Sequence, residues 1–227
     1  MHDQTLAGNL VTALLSLGVG FAAVYLLQWC TRPVSWPRSG VKTLATLCLA
    51  GAAATLGAPL LVTLGLALGA AGDFALSRPG RRAFLAGMAL FALGHLAYAA
   101  AFLRAGLGDI LLLPAVAVAA LALSTEIWLR PRTGALKWPV RGYVVAITAM
   151  MLAALTLPDR ALAVILGAAL FLGSDLLLST VLFPRPGASR APSTRLSRLA
   201  SRMAWVGYWA GQALIALGAA AALGMRP

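Results

Sequence analysis

The stretch 68-LGAAGDFALSRPGRR-82 puts a carboxylate, Asp73, into a run that otherwise reads as a membrane helix, followed closely by Arg78, Arg81 and Arg82. In a water-soluble helix this acid would need no comment. In lipid it would, because a charge inside a span is unfavourable by at least ~2.5 kcal/mol unless it faces the bundle interior or a wet cavity.

The rest of the chain settles which reading applies. Of 227 residues 61% are hydrophobic and only 11% charged, with a mean hydropathy of +0.88. Soluble domains carry about a quarter charged residues. A membrane span needs about 20 mostly apolar residues. Eight such stretches can be marked, at 8–28, 41–57, 59–77, 83–104, 108–128, 140–157, 160–183 and 203–225. The expectation is an all-α integral membrane bundle of eight transmembrane helices, residues 1–227 forming one domain. The first stretch lacks a basic leader and a small-residue cleavage site, so it reads as a retained span.

The net charge of +12 does not point to nucleic acid, because the basic residues lie in short connectors instead of on a soluble face. The first, third, fifth and seventh connectors hold 15 of the 18 lysines and arginines. By the positive-inside rule these face the cytoplasm and both termini lie on the non-cytoplasmic side. The alternation also fixes the count, since adding or removing one span would scramble it downstream.

The longest connectors, CTRPVSWPRSG (30–40) and FPRPGASRAPSTRLSR (183–198), read as solvated cytoplasmic loops. The junctions LGAPLL (56–61) and LTLPDRAL (155–162) leave room only for tight outer hairpins. Gly65, Gly69, Gly72, Gly207 and Gly211 recur at spacings that let helices approach closely in lipid, a packing device. Cys30 and Cys48 have neither CxxC spacing nor a nearby histidine and read as apolar filler. No metal or cofactor is implied, because His95 has no second soft or imidazole ligand.

Six acids remain to be placed. Asp3 is in the tail, Asp109 and Asp159 stand at helix starts, where a carboxylate suits the positive end of the dipole, and Glu126 is one turn from Arg130. Asp73 and Asp175 are left inside spans. At ~1.5 Å per residue both fall in the cytoplasmic half of the membrane, at depths that overlap those of His95, Tyr98, Tyr208 and Gln212. Helical spacing puts His95 and Tyr98 on one face with Phe91 and Phe102, Ser174 and Asp175 beside Phe171, and Tyr208 and Gln212 with Trp205. Taken singly, the neutral groups read as hydrogen-bonded packing residues. Two carboxylates do not, and they suggest a shared site.

At these residues the chain resembles the lysoplasmalogenase, or YhhN-like, family of multi-pass membrane proteins. The likeness rests on GLALGAAGDFAL, FLAGMALFALGHLAYAAAF, GAALFLGSDLLLS and GYWAGQALIALG, in that order, across residues 65–220. Asp73, His95, Tyr98, Ser174, Asp175, Tyr208 and Gln212 occupy the motif positions. Where the family often shows Lys-Pro this chain has Lys42-Thr43, and Lys42 carries over as a contact to a lipid headgroup. The resemblance implies a multi-pass protein of a bacterial inner membrane that hydrolyses the vinyl ether bond of lysoplasmalogens. The products would be a fatty aldehyde and glycerophosphoethanolamine or glycerophosphocholine.

The residues suit that chemistry on their own terms. Vinyl ethers hydrolyse by protonation of a double-bond carbon, and water then captures the oxocarbenium ion. A carboxylic acid in apolar surroundings keeps its proton at neutral pH, and a second carboxylate that stays ionised can stabilise the cation and activate water. Glycosidases use the same division of labour. Asp175 is the candidate acid and Asp73 the ionised partner near Arg78, Arg81 and Arg82. His95, Tyr98, Ser174, Tyr208 and Gln212 would orient the carboxylates or the water, with the cytoplasmic basic rim on the lipid phosphate. A cavity open to the cytoplasmic leaflet, with an apolar tunnel for one chain, is expected.

The partners implied are a lysophospholipid substrate and membrane lipids, with no nucleic acid and an oligomeric state left open. A small-molecule or lipid transporter would also keep intramembrane carboxylates, but usually with broken helices or repeat symmetry, and no repeat emerges here. An intramembrane aspartyl protease is disfavoured because GAAGD departs from its Gly-x-Gly-Asp signature and the order of the two aspartates is reversed. A structural scaffold would tolerate asparagine at both positions.

Overall fold

A computed structural model describes residues 2–106, 108–158, 161–184 and 195–224, all in helices and short connections with no strand among them. Eight long helices follow the eight apolar stretches. These are α1 (His2–Val24, continued by a π-helical turn at Tyr25–Trp29), α2 (Trp36–Thr55), α3 (Leu60–Leu76) and α4 (Arg81–Arg104). Then come α5 (Leu112–Trp128), α6 (Lys137–Ala154), α7 (Leu162–Leu182) and α8 (Arg195–Leu223), with a one-turn helix, Arg130–Thr133, between α5 and α6.

Helix ends differ most from the apolar boundaries on the basic side. Helix α2 starts at Trp36 and α8 at Arg195, several residues before the hydropathy rises, because basic residues interrupt hydropathy without interrupting helicity. Ser35 caps α2 by accepting from the Arg38 N–H at 3.4 Å, and Pro37 sits in its first turn. Helix α5 starts at Leu112, so Asp109 stands before the helix and not in its first turn. Asp159, Arg160, Arg185, Arg190 and Arg226, with the loop between α7 and α8, fall outside the described residues.

Among the described residues four segments are long and apolar enough to cross a membrane: Thr5–Trp29, Arg81–Arg104, Leu162–Leu182 and Arg195–Leu223. The stretch from Leu112 through Ala154, bent by 50° at its break, supplies a fifth candidate if taken together. Its two halves nevertheless lie side by side. The Gly108 N–H donates to Thr156 O at 2.7 Å at one end, while Arg141 holds both oxygens of Glu126 at 2.6 Å near the other. Both ends meet, as in a hairpin. The ion pair expected between Glu126 and Arg130 is present at 3.8 Å, but Arg141 is the tighter partner.

Helices α2, α3, α4, α6, α7 and α8 pack in that order as a ring, with α8 returning to α2 and also touching α3. Helix α1 lies against α2, and α5 against α6. The glycines set the spacing where the ring is tightest. A Cβ on Gly211 would lie 2.7 Å from Gly167 O and 3.0 Å from Phe171 N, both rigid backbone. A Cβ on Gly65 would lie 2.4 Å from the Tyr98 ring, and one on Gly69 2.7 Å from Gln212 Nε2. Gly211→Ala should therefore force α7 and α8 apart and lower the thermal midpoint in detergent by ~2–10 °C. Gly173→Ala, where nothing lies within 4 Å, should leave it unchanged.

Candidate active site

Asp73 sits in the last turn of α3 with no exposed side-chain surface, and its neighbours show why the chain tolerates it there. Lys42, from the second turn of α2, places Nζ 2.8 Å from Oδ1. Thr46, one turn further on the same face of α2, donates to Oδ2 at 2.9 Å, and Tyr208 of α8 donates to the same oxygen at 2.7 Å. The buried charge is thus paired by Lys42 and hydrogen-bonded by Thr46 and Tyr208, the condition under which an intramembrane carboxylate is stable. Lys42 is itself surrounded by the rings of Tyr25, Trp205 and Tyr208, each centroid within 6.0 Å of its ammonium.

The cation paired with Asp73 is therefore Lys42 and not the arginine cluster suggested by chain proximity. Arg78 turns away instead. Its guanidinium lies 4.1 Å above the Trp36 ring and donates to Ser35 O at 2.8 Å, to Ser77 O at 3.0 Å and to the Ser39 hydroxyl. Lys42, expected as a headgroup contact, is engaged with a carboxylate.

Asp175, on α7, has a different environment. Among the described residues no lysine or arginine pairs with it, and 17% of its side chain is exposed. Tyr143 of α6 donates a hydrogen bond to Oδ2. Since the Tyr143 proton points at Asp175, its oxygen accepts from His95 Nε2, 3.1 Å away. The other ring nitrogen of His95 faces Met150 Sδ at 3.3 Å, and Nε2 stands 3.9 Å from Asp175 itself. Phe171 covers the imidazole face at 4.7 Å between centroids.

Both carboxylates line one cavity of about 390 Å³, together with Lys42, Ser174, Tyr143 and Tyr208. Of the other expected site residues, Ser174 lies on the wall with its hydroxyl bonded to Phe171 O at 2.7 Å within its own helix. Tyr98 and Gln212 stand behind the wall. The Tyr98 hydroxyl donates to Gln212 Oε1 at 2.6 Å, and Gln212 Nε2 reaches Tyr208 at 3.4 Å, so they hold the tyrosine that holds Asp73. His95 is likewise one layer back, behind Tyr143.

Tyr143 and Thr46 went unread in the sequence. Thr46 could have been found from its i+4 spacing to Lys42. Nothing about RGYVV (141–145) marks Tyr143, which acquires its role only through the packing of α6 against α4 and α7. On α5, α6 and α7 the cavity is lined by Val118, Leu121, Val144, Ile147 and Leu176, with the hydroxyls of Thr125, Thr148 and Ser179 among them, a largely apolar limb.

Fold and site together define a multi-helix protein with helices long and apolar enough to cross a membrane and two carboxylates, Asp73 buried and Asp175 partly open, lining one cavity. The model of the YhhN family matches residues 37–219, and the chain belongs to that family, the lysoplasmalogenase family. No curated protein and no solved structure matches the chain.

Proposed function

We propose that this protein is a membrane hydrolase that cleaves the vinyl ether bond of lysoplasmalogens, lysoplasmenylethanolamine or lysoplasmenylcholine, by two-aspartate acid–base catalysis. Family membership supports the reaction class. The observation that carries the mechanism is the contrast between two carboxylates lining one cavity: Asp73 is paired with Lys42 and accepts from Thr46 and Tyr208, while among the described residues no lysine or arginine pairs with Asp175, which is partly open.

In this mechanism the protonated Asp175 delivers its proton to the double-bond carbon distal to the ether oxygen, and the positive charge forms on the carbon bonded to that oxygen. The fixed charge of Asp73 stabilises this oxocarbenium ion, as preorganised groups do where charge develops. Both oxygens of Asp73 are already engaged, Oδ1 in the ion pair with Lys42 and Oδ2 by Thr46 and Tyr208. Asp175, now a carboxylate, therefore takes the proton from the attacking water and is reset. The resulting hemiacetal collapses to fatty aldehyde and glycerophospho-alcohol. Tyr143 orients Asp175, His95 fixes Tyr143, and Tyr98 with Gln212 fixes Tyr208, each a positioning role. The apolar limb between α5, α6 and α7 takes the single hydrocarbon chain.

The same reading places all eight helices across a bacterial inner membrane as one domain, with both termini on the non-cytoplasmic side. The ends of α2, α3, α4, α6, α7 and α8 that carry the basic residues and the two aspartates would lie together at the cytoplasmic face.

The test is incubation of purified protein with lysoplasmenylethanolamine and, separately, with its ester-linked counterpart. Fatty aldehyde should appear from the first only, and in deuterated water it should carry one deuterium on the carbon next to the carbonyl. Fatty acid released from the ester would make the protein a lysophospholipase. No product from either, with proton-dependent uptake into vesicles, would make it a transporter.

A further inference from the structure

Three cations line the polar end of the cavity, and only one has an anionic partner: Lys42 is paired with Asp73, whereas no carboxylate lies within ion-pair distance of Arg32 or Arg38 among the described residues. Arg38 is nevertheless held in place. Its Nε donates to Trp29 O and one of its terminal nitrogens to the Tyr25 hydroxyl, both at 3.0 Å, and it lies 5.5 Å from the centre of the Tyr25 ring. These are neutral acceptors, so the guanidinium is positioned without being neutralised. Its other terminal nitrogen makes no hydrogen bond in the described structure, and Arg32, more exposed and 5.3 Å over the Trp29 ring, borders the same opening. The π-helical turn Tyr25–Trp29 supplies both acceptors, which gives that irregularity at the end of α1 a purpose.

We infer that Arg38, with Arg32, forms a phosphate subsite at the mouth of the cavity that binds the phosphodiester of the lipid substrate. The inference rests on the vinyl ether reading and says which end of the substrate lies where. Arg38 precedes Lys42 by one helical turn, ~6 Å along α2, and Lys42 marks the level of Asp73. A phosphate at Arg38 therefore sets the sn-1 vinyl ether of a lysophospholipid, a glycerol's length away, near the carboxylates, with the hydrocarbon chain continuing into the apolar limb. Guanidinium is the side chain suited to the task, because it can offer two parallel N–H donors to phosphate oxygens. The arginines nearest Asp73 in sequence do not compete for this role: none of Arg78, Arg81 and Arg82 lines the cavity, and Arg78 is turned onto Ser35, Ser39 and Ser77.

The experiment compares lysoplasmenylethanolamine with 1-O-alkenylglycerol, which has the same vinyl ether but no phosphate, in wild type, Arg38→Gln, Arg38→Lys and Arg32→Gln. For the phospholipid, Arg38→Gln should raise KM by ~10–100-fold while kcat changes little, with Arg38→Lys intermediate and Arg32→Gln milder. For the alkenylglycerol the same variants should match wild type. Equal losses on both substrates would make Arg38 a structural brace for Tyr25 and overturn the inference, as would no change on either. Inorganic phosphate alone serves as a further probe: Arg38-dependent competition at micromolar concentration would mean that a soluble phosphate, not a lipid, is the ligand. If wild type releases no aldehyde at all, the vinyl ether reading fails separately. The subsite is then read from quenching of tryptophan fluorescence, Trp205 being on the cavity wall, by lysophosphatidylethanolamine against monoacylglycerol. An Arg38-dependent preference for the phospholipid would uphold the subsite, and no preference would refute it.

Discussion

Asp175→Asn should abolish aldehyde release, with a fall in kcat of ~10²–10⁴-fold, the range contributed by a general acid, while the protein stays folded. Asparagine keeps the size of the side chain and can still accept from Tyr143, so the wall of the cavity is preserved and only the transferable proton is lost. The thermal midpoint in detergent and the binding of a non-cleavable ether analogue should both match wild type. Retained turnover would remove Asp175 from the acid role. Loss of turnover together with loss of binding would indicate damage to the cavity rather than to the chemistry.

Lys42→Met should have the largest effect on stability. It removes the ammonium 2.8 Å from a carboxylate that has no exposed surface, and breaking a buried pair by deleting one partner costs ~3–5 kcal/mol because the remaining charge stays stranded. The diagnostic comparison is the double variant Lys42→Met with Asp73→Asn, in which the stranded charge is gone too. Its thermal midpoint should recover most of the loss, because Thr46 and Tyr208 can still bond to the amide, yet turnover should remain absent. A double variant as unstable as the single one would mean that Lys42 acts through its packing against Tyr25, Trp205 and Tyr208 instead of through Asp73.

Much of this arrangement was legible in the chain because lipid makes polar residues conspicuous. Hydropathy located all eight helices, and the energetic penalty of a carboxylate in lipid singled out Asp73 and Asp175 from six acids. Partners were harder to read. Arg78 lies five residues from Asp73 and looked like its counter-ion, but a helix end directs side chains by angle as well as by distance, and the ring of Trp36 and the Ser35 and Ser77 carbonyls take that guanidinium. Lys42 comes from another helix, so only the packing of α2 on α3 brings it to Asp73. Tyr143 was invisible for the same reason, since a single tyrosine near a helix start has no periodicity to betray it. Helix lengths at the basic ends were also misjudged, because hydropathy measures lipid contact and α2 and α8 continue as helices into the charged zone.

The two sides of the cavity are built to different tolerances. On the side of α7 and α8 the backbones meet at Gly167 and Gly211 with no room for a methyl group, and that wall carries Asp175 and Tyr208. The opposite side is closed partly by α5, which buries only Ala115 and Thr125 and leaves Leu113 and Ile127 81% exposed. Held to its neighbours mainly at its two ends, this helix yields more easily than the glycine seam. Hydrocarbon tails that differ in length or unsaturation could thus be admitted by yielding on one flank, without altering the angle at which the polar end meets the two aspartates.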